Sequence, residues 1–454
     1  MINTLKRLFL AISILFCLGG NAQEKKWTLQ ECIEYALKNN ISVRQAELDL
    51  KLTQVDKKDA WGAFIPSASA TASHSWNIGL TQNISGILEQ QTMQFTNAGI
   101  TTSVDLYNGL QNQMRFRRSN LAIISSRYQL LKIQEDIGLN VANAFLQILF
   151  NKENLKVQKE QLNINLEQLE RSKQLVEGGV IPKGDLLDIE ATVAADRQRV
   201  INSENQLLIS KLSLAQLLQL DNFETFDVAD EEYEKEDSKV LLLPPSEIYN
   251  KAKRERTEIK MAEANLEVAK QDVKIARGAY QPRLRGFYSL DTRITYADYS
   301  TFEDNQLIVK TPPPFWNQFW DNKGHSFGFQ LSIPILNGFT TRNNVERAKI
   351  ALDRSKIAFE QQELDLERNV YTAFTDAQGA LKAYDAAVSA ESARAEALNY
   401  ARERYEVGLI NVFDLNQAQT LSVNAQSEVL RTKYDFIFRV KILEFYFGIP
   451  IFQK

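Results

Sequence analysis

The sequence has few of the residues that enzymes use for catalysis. Its 454 residues include two histidines and two cysteines, and the formal net charge is −4. It contains no glycine-rich phosphate loop and no cluster with metal-ligand spacing. It also offers no basic face for the phosphates of a nucleic acid. We therefore predict a protein that is not an enzyme, needs no cofactor or metal, and binds no nucleic acid.

The N-terminal residues have the pattern of a cleaved export signal. Lys6 and Arg7 precede an apolar run at residues 8–18, and small residues at 20–22 provide a cleavage site. We predict a signal peptide at residues 1–22. No later window has the roughly 20 apolar residues of a membrane-spanning helix. The mature protein is therefore expected in the periplasm, in the outer membrane or outside the cell.

The few histidines and cysteines lie apart in the sequence. His74 and His325 fall in or beside predicted strands. Isolated histidines there are usually ordinary polar side chains, and a metal-binding or catalytic pair is the alternative. Cys17 lies in the signal segment, and the bulky Phe16 before it argues against lipidation. Cys32 is then alone in the mature chain, so no intramolecular disulfide can form.

The second half of the sequence repeats the first. One pair of segments recurs 229 positions later and an earlier pair recurs 216 positions later, so the second half carries extra residues between them. This predicts two repeats, at residues 23–220 and 246–450, joined by an acidic linker at 221–245. Such a charge run is usually solvated surface, and a docking role is the alternative. The recurring segments are 104–109 and 179–186, seen again at 333–338 and 408–415, and 46–50 and 61–66, seen again at 262–266 and 277–282.

Most of each repeat predicts helices. From Leu110 to Glu177 the sequence has no proline and one glycine, and such a helix would measure on the order of 100 Å at about 1.5 Å per residue. A helix this long must pack against neighbours, and apolar residues at heptad spacing indicate a coiled-coil seam. An ordinary coiled-coil rod is the simplest interpretation. The seam residues are Val141, Ile148, Leu155, Leu162, Leu169 and Val176, and shorter helices are predicted at residues 29–60, 186–218, 247–277 and 415–447.

Two segments in each repeat alternate between apolar and small polar residues, which predicts strands. Four strands with one apolar and one small-polar side match the lipid-facing and lumen-facing surfaces of a membrane β-barrel. Four strands cannot close a barrel, and an open sheet in lipid leaves backbone groups unpaired, so several chains would share one barrel. A soluble sheet that caps a helical rod is the alternative. The segments are residues 67–80 and 98–106, and 283–296 and 326–335.

The extra residues of the second repeat fall between its two strands. Residues 311–320 are rich in proline, phenylalanine and tryptophan and predict a long, partly rigid hairpin loop. Its aromatic side chains would lie at a membrane interface or pack on the loop itself.

Glycines end the long helices of both repeats. Gly178-Gly179 and Gly408 can adopt positive φ and stop a helix, and Asp185 and Asp414 then lie at the start of the next helix. The simplest role for these aspartates is helix capping or an interaction with the helix dipole, worth roughly 0.5–2 kcal/mol.

Together these features resemble the TolC family of bacterial outer-membrane efflux proteins, across essentially the whole mature sequence. The resemblance rests on the duplicated order of helix, two strands, long helix and helix. It rests also on the strand ends Asn108-Gly109 and Asn337-Gly338 and on the turn Tyr405-Glu406-Val407-Gly408, which Asp414 follows. It implies a mainly α-helical fold with a small membrane β-barrel part. Three chains would each give four strands to one twelve-stranded barrel, and their long antiparallel helices would continue as a coiled-coil tunnel through the periplasm.

By the same resemblance the chain would be the passive exit duct of a tripartite efflux pump or a type I secretion system, in the outer membrane of a Gram-negative bacterium. Its helix turns would close the periplasmic end and contact an adaptor protein that joins an inner-membrane pump. Selectivity for the exported substrate would lie largely in the pump. A periplasmic or surface coiled-coil scaffold without channel activity is the alternative. The residues expected to contact the adaptor are Gly178, Gly179, Val407, Gly408 and Leu409.

The resemblance also implies individual gate residues. Asp414 matches the family's first constriction aspartate, whereas Gln417 replaces the second, so the constriction is less acidic unless an aspartate of the first repeat compensates. Tyr405 and Asp185 match a tyrosine and an aspartate that hold neighbouring coils together at the closed end. Ile410 replaces the arginine of that latch, which puts part of the latch in doubt. The gate residues implied in this way are Asp414, Asp185, Asp188, Gln417 and Tyr405.

Overall fold

The computed structural model describes residues 26–82, 87–222, 225–230, 238–303 and 306–449. The predicted signal peptide, including Cys17, and residues 231–237 of the acidic linker lie outside these ranges. Cys32 is buried and is not part of a disulfide in the described part of the chain. In the described ranges, no helix combines the length and the apolar character needed to cross a bilayer.

Two very long helices, one in each repeat, stand out among the helices of the described chain. In chain order the helices are α1, Leu29–Asn39; α2, Ile41–Gly62; α3, Gln111–Glu177; α4, Lys183–Leu218; α5, Pro245–Glu255; α6, Thr257–Gly278; α7, Phe315–Asp321; α8, Thr340–Glu406; and α9, Val412–Tyr446. The long helices α3 and α8 have 67 residues each. Asn151 contacts Gln206 and Asn165 contacts Asp196, so α4 runs antiparallel to α3.

Two helices predicted as continuous are each broken in two. The predicted helix at 29–60 is interrupted at Asn40, with φ −60° and ψ 132°, and the one at 247–277 at Arg256, with φ −67° and ψ 136°. The two breaks lie 216 positions apart in the sequence, which is the offset of this part of the repeat. The duplication therefore extends to the break itself.

Tertiary contacts of the Asn40 and Arg256 side chains stabilise the non-helical backbone at these two breaks. Asn40 donates from its side-chain amide to the Leu217 carbonyl at 2.9 Å. Arg256 is buried and forms ion pairs with Glu135 at 2.9 Å and Glu258 at 3.0 Å. Neither position carries proline or glycine, so local sequence gives no helix-breaking signal.

Four antiparallel strands form the main sheet. The strands of the described chain are β1, Lys26–Trp27; β2, Ser67–Gln82; β3, Leu88–Asn108; β4, Asp227–Val228; β5, Arg283–Thr295; β6, Tyr299–Glu303; β7, Gln306–Lys310; and β8, Gly324–Ser332. The main sheet has the order β2-β3-β5-β8, β1 pairs with β4 in parallel, and β6 and β7 form a hairpin.

The two faces of the main sheet differ as the alternation predicts. Residues that are paired across antiparallel strands share a face. The apolar face includes Ala70, Ile100 and Leu290, and the small-polar face includes Ser69, Thr101 and Ser289. The predicted strand at 326–335 extends too far, because β8 ends at Ser332 and Ile335 is 94% exposed. Pro334 lacks the N–H that would continue the ladder.

The segment predicted as a hairpin loop at 311–320 is partly helical. Its prolines end at Pro314, which immediately precedes α7, and proline is tolerated at a helix start. The aromatic side chains of α7 pack on one another, with ring centroids 5.7 Å apart for Trp316 and Phe319 and 5.2 Å apart for Phe319 and Trp320. The sequence predicts a loop here because proline-rich runs usually break regular structure.

The chain divides into two compact units that each take parts of both repeats. One comprises Met1–Leu48, Tyr128–Lys260 and Gln361–Lys454, and the other comprises Asp49–Arg127 and Met261–Glu360. The first unit has an apolar helical core, whose fully buried side chains include Ile33, Val141, Phe145, Ile148 and Leu214. The second unit contains the main sheet.

Candidate functional site

The turn between α3 and α4 ends the helix with a left-handed glycine. Gly179 has a φ of 70°. The N–H of Val180 donates to the Leu175 carbonyl at 2.8 Å, and the N–H of Gly179 donates to the Val176 carbonyl at 3.0 Å. This pair of bonds is the Schellman motif, which satisfies the last carbonyls of a helix.

The turn between α8 and α9 has the same geometry 229 positions later. Gly408 has a φ of 75°. The N–H of Leu409 donates to the Arg404 carbonyl at 2.8 Å, and the N–H of Gly408 donates to the Tyr405 carbonyl at 3.0 Å. Both turns present exposed apolar side chains, which are Val180, Val407 and Leu409.

Asp185 and Asp414 are the third residues of their helices, and neither caps its helix. Asn411 caps α9, because its side-chain oxygen accepts the N–H of Asp414 at 2.9 Å. Pro182 precedes α4 without a side-chain cap. The capping role suggested by the sequence is therefore wrong. A carboxylate in the first turn still interacts favourably with the helix dipole.

The implied gate residues differ in exposure. Asp414, Asp188 and Gln417 are exposed, whereas Asp185 and Tyr405 are half-buried. The first three therefore face solvent in the single chain. The last two lie in the helical unit, on different repeats.

Tyr405 packs against Ile189 and Val412, which belong to a small apolar cluster beside the turns. Burial raises the pKa of Tyr405, the Asp185 carboxylate raises this pKa further, and Arg171 opposes both. Among the described residues no hydrogen bond joins the Tyr405 hydroxyl to Asp185. The structure thus brings these two residues into one neighbourhood, where the Asp185 carboxylate disfavours ionisation of the Tyr405 hydroxyl.

Polar side chains are buried between α3, α4 and α9, and we call this region the polar core. Its buried residues are Gln161, Asn165, Ser172, Asp196, Gln419 and Ser422. Gln419 donates to Gln168 at 3.2 Å. Three buried atoms, Asn165 Oδ1, Gln168 Nε2 and Gln419 Oε1, have no hydrogen-bond partner in the described chain. A buried polar group that stays unpaired costs about 1–3 kcal/mol.

Sequence reasoning missed the polar core, although a signal was present. Gln161, Asn165, Gln168 and Ser172 are spaced by four, three and four residues, which places them on one helix face. Their stripe runs beside the predicted apolar seam that contains Leu162 and Leu169. The apolar seam is the more regular of the two patterns on α3, so the sequence predicts the seam and not the polar stripe.

The two histidines do not contact each other. His74 lies on β2 and contacts the Thr96 hydroxyl at 2.8 Å, whereas His325 lies on β8 and contacts the Tyr288 hydroxyl at 2.8 Å. These strands are the opposite edges of the main sheet. Within the described ranges, no group of three or more histidine, cysteine or acidic side chains is placed to hold a metal ion.

Comparison with known proteins decides the family. The sequence profile of the outer membrane efflux proteins matches residues 32–219 and 248–443, which are most of the chain and fall on both repeats. The chain belongs to the outer membrane efflux protein family. It is thus a TolC-family protein, as its turn and strand-end motifs indicate.

Relatives of the outer membrane efflux protein family share modest identity and a common fold. OpmQ, the pyoverdine export outer membrane protein of Pseudomonas aeruginosa, is 23% identical over 375 residues, which cover 79% of this chain and 70% of OpmQ. The outer membrane protein TolC of Escherichia coli is 19% identical over 434 residues, covering 92% of this chain and 82% of TolC. The crystal structure of the Campylobacter jejuni CmeC outer membrane channel matches with a TM-score of 0.78 at 17% identity, covering 93% of this chain and 86% of CmeC.

Proposed function

We propose that three copies of this chain form an outer-membrane channel-tunnel, the exit duct of a tripartite efflux pump or a type I secretion system. The main sheet carries this proposal. Its edge strands β2 and β8 pair with no further strand in the described part of the chain, and Phe327 on its apolar face is 83% exposed. A sheet with such edges cannot stay open in lipid. Joining β2 of one copy to β8 of the next closes a barrel.

Exposed apolar stripes on the helices support the same assembly. Ile350, Ile357 and Leu364 on α8 follow one another at heptad spacing and are 60%, 64% and 60% exposed. Ile201 and Leu208 on α4 repeat the pattern and are also exposed. Heptad stripes are the surfaces that helices bury against other helices. In the trimer they would form the contacts between neighbouring chains in the tunnel wall.

The two helix turns would form the gate at the periplasmic end. Three copies of the exposed Asp414 around the axis would draw cations into the mouth, and Asp188 would add charge where Gln417 does not. Tyr405 and Asp185 would hold the closed state together. The exposed apolar turn residues, with Gly178, Gly179 and Gly408 shaping the backbone, would contact a periplasmic adaptor protein, because exposed apolar side chains of this kind commonly mark interaction sites. In the second repeat, the apolar side chains that contact the adaptor would be Val407 and Leu409.

The remaining parts of the chain would serve export and connection. Residues 1–22 would direct export and be removed, residues 221–245 would link the repeats at 23–220 and 246–450, and the apolar sheet face would contact outer-membrane lipid. The duct would be passive, with the energy supplied by an inner-membrane pump. A coiled-coil scaffold without channel activity remains the competing proposal, because the same heptad stripes would serve it.

Single-channel recording in planar bilayers tests the duct and its gate together. The detergent-purified trimer should give small, cation-preferring openings, and Asp414→Ala should lose the preference, because the charge at the mouth is removed. Asn424→Ala is the matched control, since it alters an exposed neutral residue of α9 that lies outside the proposed gate. Openings that ignore Asp414→Ala would keep the duct and reject this gate. A folded protein that needs no detergent and gives no openings would favour the scaffold.

A further inference from the structure

The short helix α7 is fixed against the apolar face of the main sheet. Gln318 is buried, and its side-chain amide exchanges two hydrogen bonds of 3.0 Å with the backbone of Thr295. Thr292 donates from its hydroxyl to the Phe319 carbonyl at 3.0 Å. Thr292 is paired with Ala98, a residue of the apolar face. These bonds attach α7 to β5 while its aromatic side chains extend over the neighbouring strands.

A groove of about 340 Å³ lies between α7 and the sheet. Phe319 and Trp320 form one wall, and Ala70, Ala72 and Ala98 lie opposite on β2 and β3. The alanines leave room that larger side chains would fill. An apolar groove without an occupant loses dispersion contacts on one side, so its lining favours an apolar ligand.

The groove lies at the ends of β5 and β8 that are far from the long helices, whereas β2 and β3 extend past it to Gln82 and Leu88. α7 belongs to the connection between β5 and β8, whereas α6 precedes β5 and α8 follows β8. In the proposed duct, the helices extend into the periplasm and this connection faces the cell exterior. Exposed tryptophans such as Trp316 and Trp320 are typical of the boundary between lipid and water. The groove therefore opens at the level of the outer leaflet.

A single cationic side chain lines the mouth of the groove. The Lys323 ammonium lies 5.7 Å from the ring centroid of Trp320, and no carboxylate pairs with Lys323 in the described part of the chain. Asp291 also borders the groove, but its carboxylate accepts a hydrogen bond from Ser289 on the small-polar face. The charge at the mouth thus complements an anionic headgroup.

We propose that the groove beneath α7 holds an acyl chain of a phosphorylated lipid of the outer leaflet, with the lipid phosphate bound by Lys323. The alanines and the aromatic wall would take the acyl chain, and the ammonium would select the headgroup by charge. This inference rests on the proposed membrane duct. It assigns α7 the role of a lipid clamp on the outer rim of the barrel.

Native mass spectrometry of the full-length trimer tests the clamp. The protein is released from nanodiscs of phosphatidylcholine doped with phosphorylated lipid A, and retained lipid is counted. The original chain should retain lipid A. Ala72→Phe should lose it, because the added ring fills the groove from β2. Ala68→Phe is the matched control: it lies on the same strand and face, outside the groove, and should retain the lipid.

The Lys323→Gln variant tests binding of the headgroup separately from binding of the acyl chain. This variant should still retain lipid but no longer prefer lipid A over phosphatidylcholine. Equal retention by the original chain and Ala72→Phe, or an unchanged preference in Lys323→Gln, overturns the proposal. Channel recordings on the same samples distinguish failure of the lipid clamp from failure of the proposed duct. A conducting protein without retained lipid refutes the clamp alone, whereas a protein that neither inserts nor conducts refutes the duct.

Discussion

Tyr405, near the end of α8, and Asp185, at the start of α4, share one electrostatic environment. Burial beside Ile189 and Val412, and then the Asp185 carboxylate, raise the pKa of Tyr405. The tyrosine therefore stays neutral well into the alkaline range and can act as a hydrogen-bond donor at the turns. The pair connects the two repeats at the place where the proposed duct would close.

We expect Tyr405→Phe and Asp185→Ala to increase the open probability of the channel. Tyr405→Phe keeps the ring in the apolar cluster and removes only the hydroxyl, so it tests the polar link separately from packing. Tyr400→Phe is the control, because Tyr400 is exposed on the same helix and should behave like the original chain. Single-channel recording provides the measurement. Unchanged opening in both latch variants would remove this pair from the gate.

The ionic network at the second helix break predicts a pH dependence of stability. Burial raises the pKa of Glu135, while Arg256 and Thr257 oppose this effect. A raised pKa in the folded state means that the contribution of Glu135 is fully present below its unfolded pKa and is lost as the pH rises through the folded pKa. The unfolding temperature should therefore contain a component that falls as the pH rises above about 4.5.

Glu135→Gln should remove that component, because the amide cannot ionise and can still contact Thr257. The slope of unfolding temperature against pH, measured by scanning fluorimetry in detergent, should become less negative above about pH 4.5. Glu160→Gln, on the exposed side of the same helix, should leave the slope as it is. Identical slopes for the original chain and Glu135→Gln would show that burial does not govern this carboxyl group.

The polar core predicts that apolar substitution strengthens the helical unit. Gln168 and Gln419 share one hydrogen bond, and each also leaves one buried polar atom unpaired. Replacing both residues with leucine removes the partners together, which is usually neutral or stabilising. We expect Gln168→Leu/Gln419→Leu to gain about 1–2 kcal/mol of stability and to slow amide exchange in α3 and α9 near the turns. It should also reduce channel opening, if separation of these helices accompanies opening.

The single variant Gln419→Leu is the informative comparison. It removes one partner and leaves the Gln168 side chain with no hydrogen bond to this helix, so it should gain less than the double variant or lose stability. Hydrogen exchange monitored by mass spectrometry measures the local stability of α3 and α9 in each variant. A double variant that exchanges faster than the original chain would mean that waters satisfy the polar core.

The long helices could be predicted because α3 lacks proline and repeats apolar residues every seven positions, and the strand β2 because small polar and apolar residues alternate. These signals are local and periodic. The breaks at Asn40 and Arg256 could not be predicted, because their causes are contacts with residues far away in the sequence, such as Leu217 and Glu135. The helix α7 was missed for a related reason: Gln318 and the sheet hold it in place.

The candidate site likewise has features that the sequence predicts and features that depend on tertiary packing. Glycines at the turns predicted where the helices end, since a left-handed residue is needed there. The proximity of Tyr405 to Asp185 was implied only by family resemblance, because the two residues lie 220 positions apart in the sequence. The unpaired atoms of the polar core follow from the packing of three helices, and no sequence pattern specifies that packing to the level of a hydrogen bond.

The turn glycines predict a backbone effect that can be isolated. Gly408 has a φ of 75°, and a Cβ added there would meet nothing within 4 Å. Any penalty for Gly408→Ala is therefore conformational and should be about 1–2 kcal/mol. Gly379 lies inside α8, also with open space around a Cβ. Gly379→Ala should instead stabilise by about 0.5–1 kcal/mol, because alanine favours the helix.

Comparison of these two alanine variants in detergent tests the turn directly. Gly408→Asn should recover much of the stability lost in Gly408→Ala, since asparagine tolerates the left-handed conformation. Apparent unfolding temperatures give the order, with Gly379→Ala highest and Gly408→Ala lowest. Because the Gly408 turn would lie at the proposed gate, Gly408→Ala should also raise the open probability. Equal unfolding temperatures for both alanine variants would mean that the turn relaxes freely and that Gly408 does not constrain the closed end.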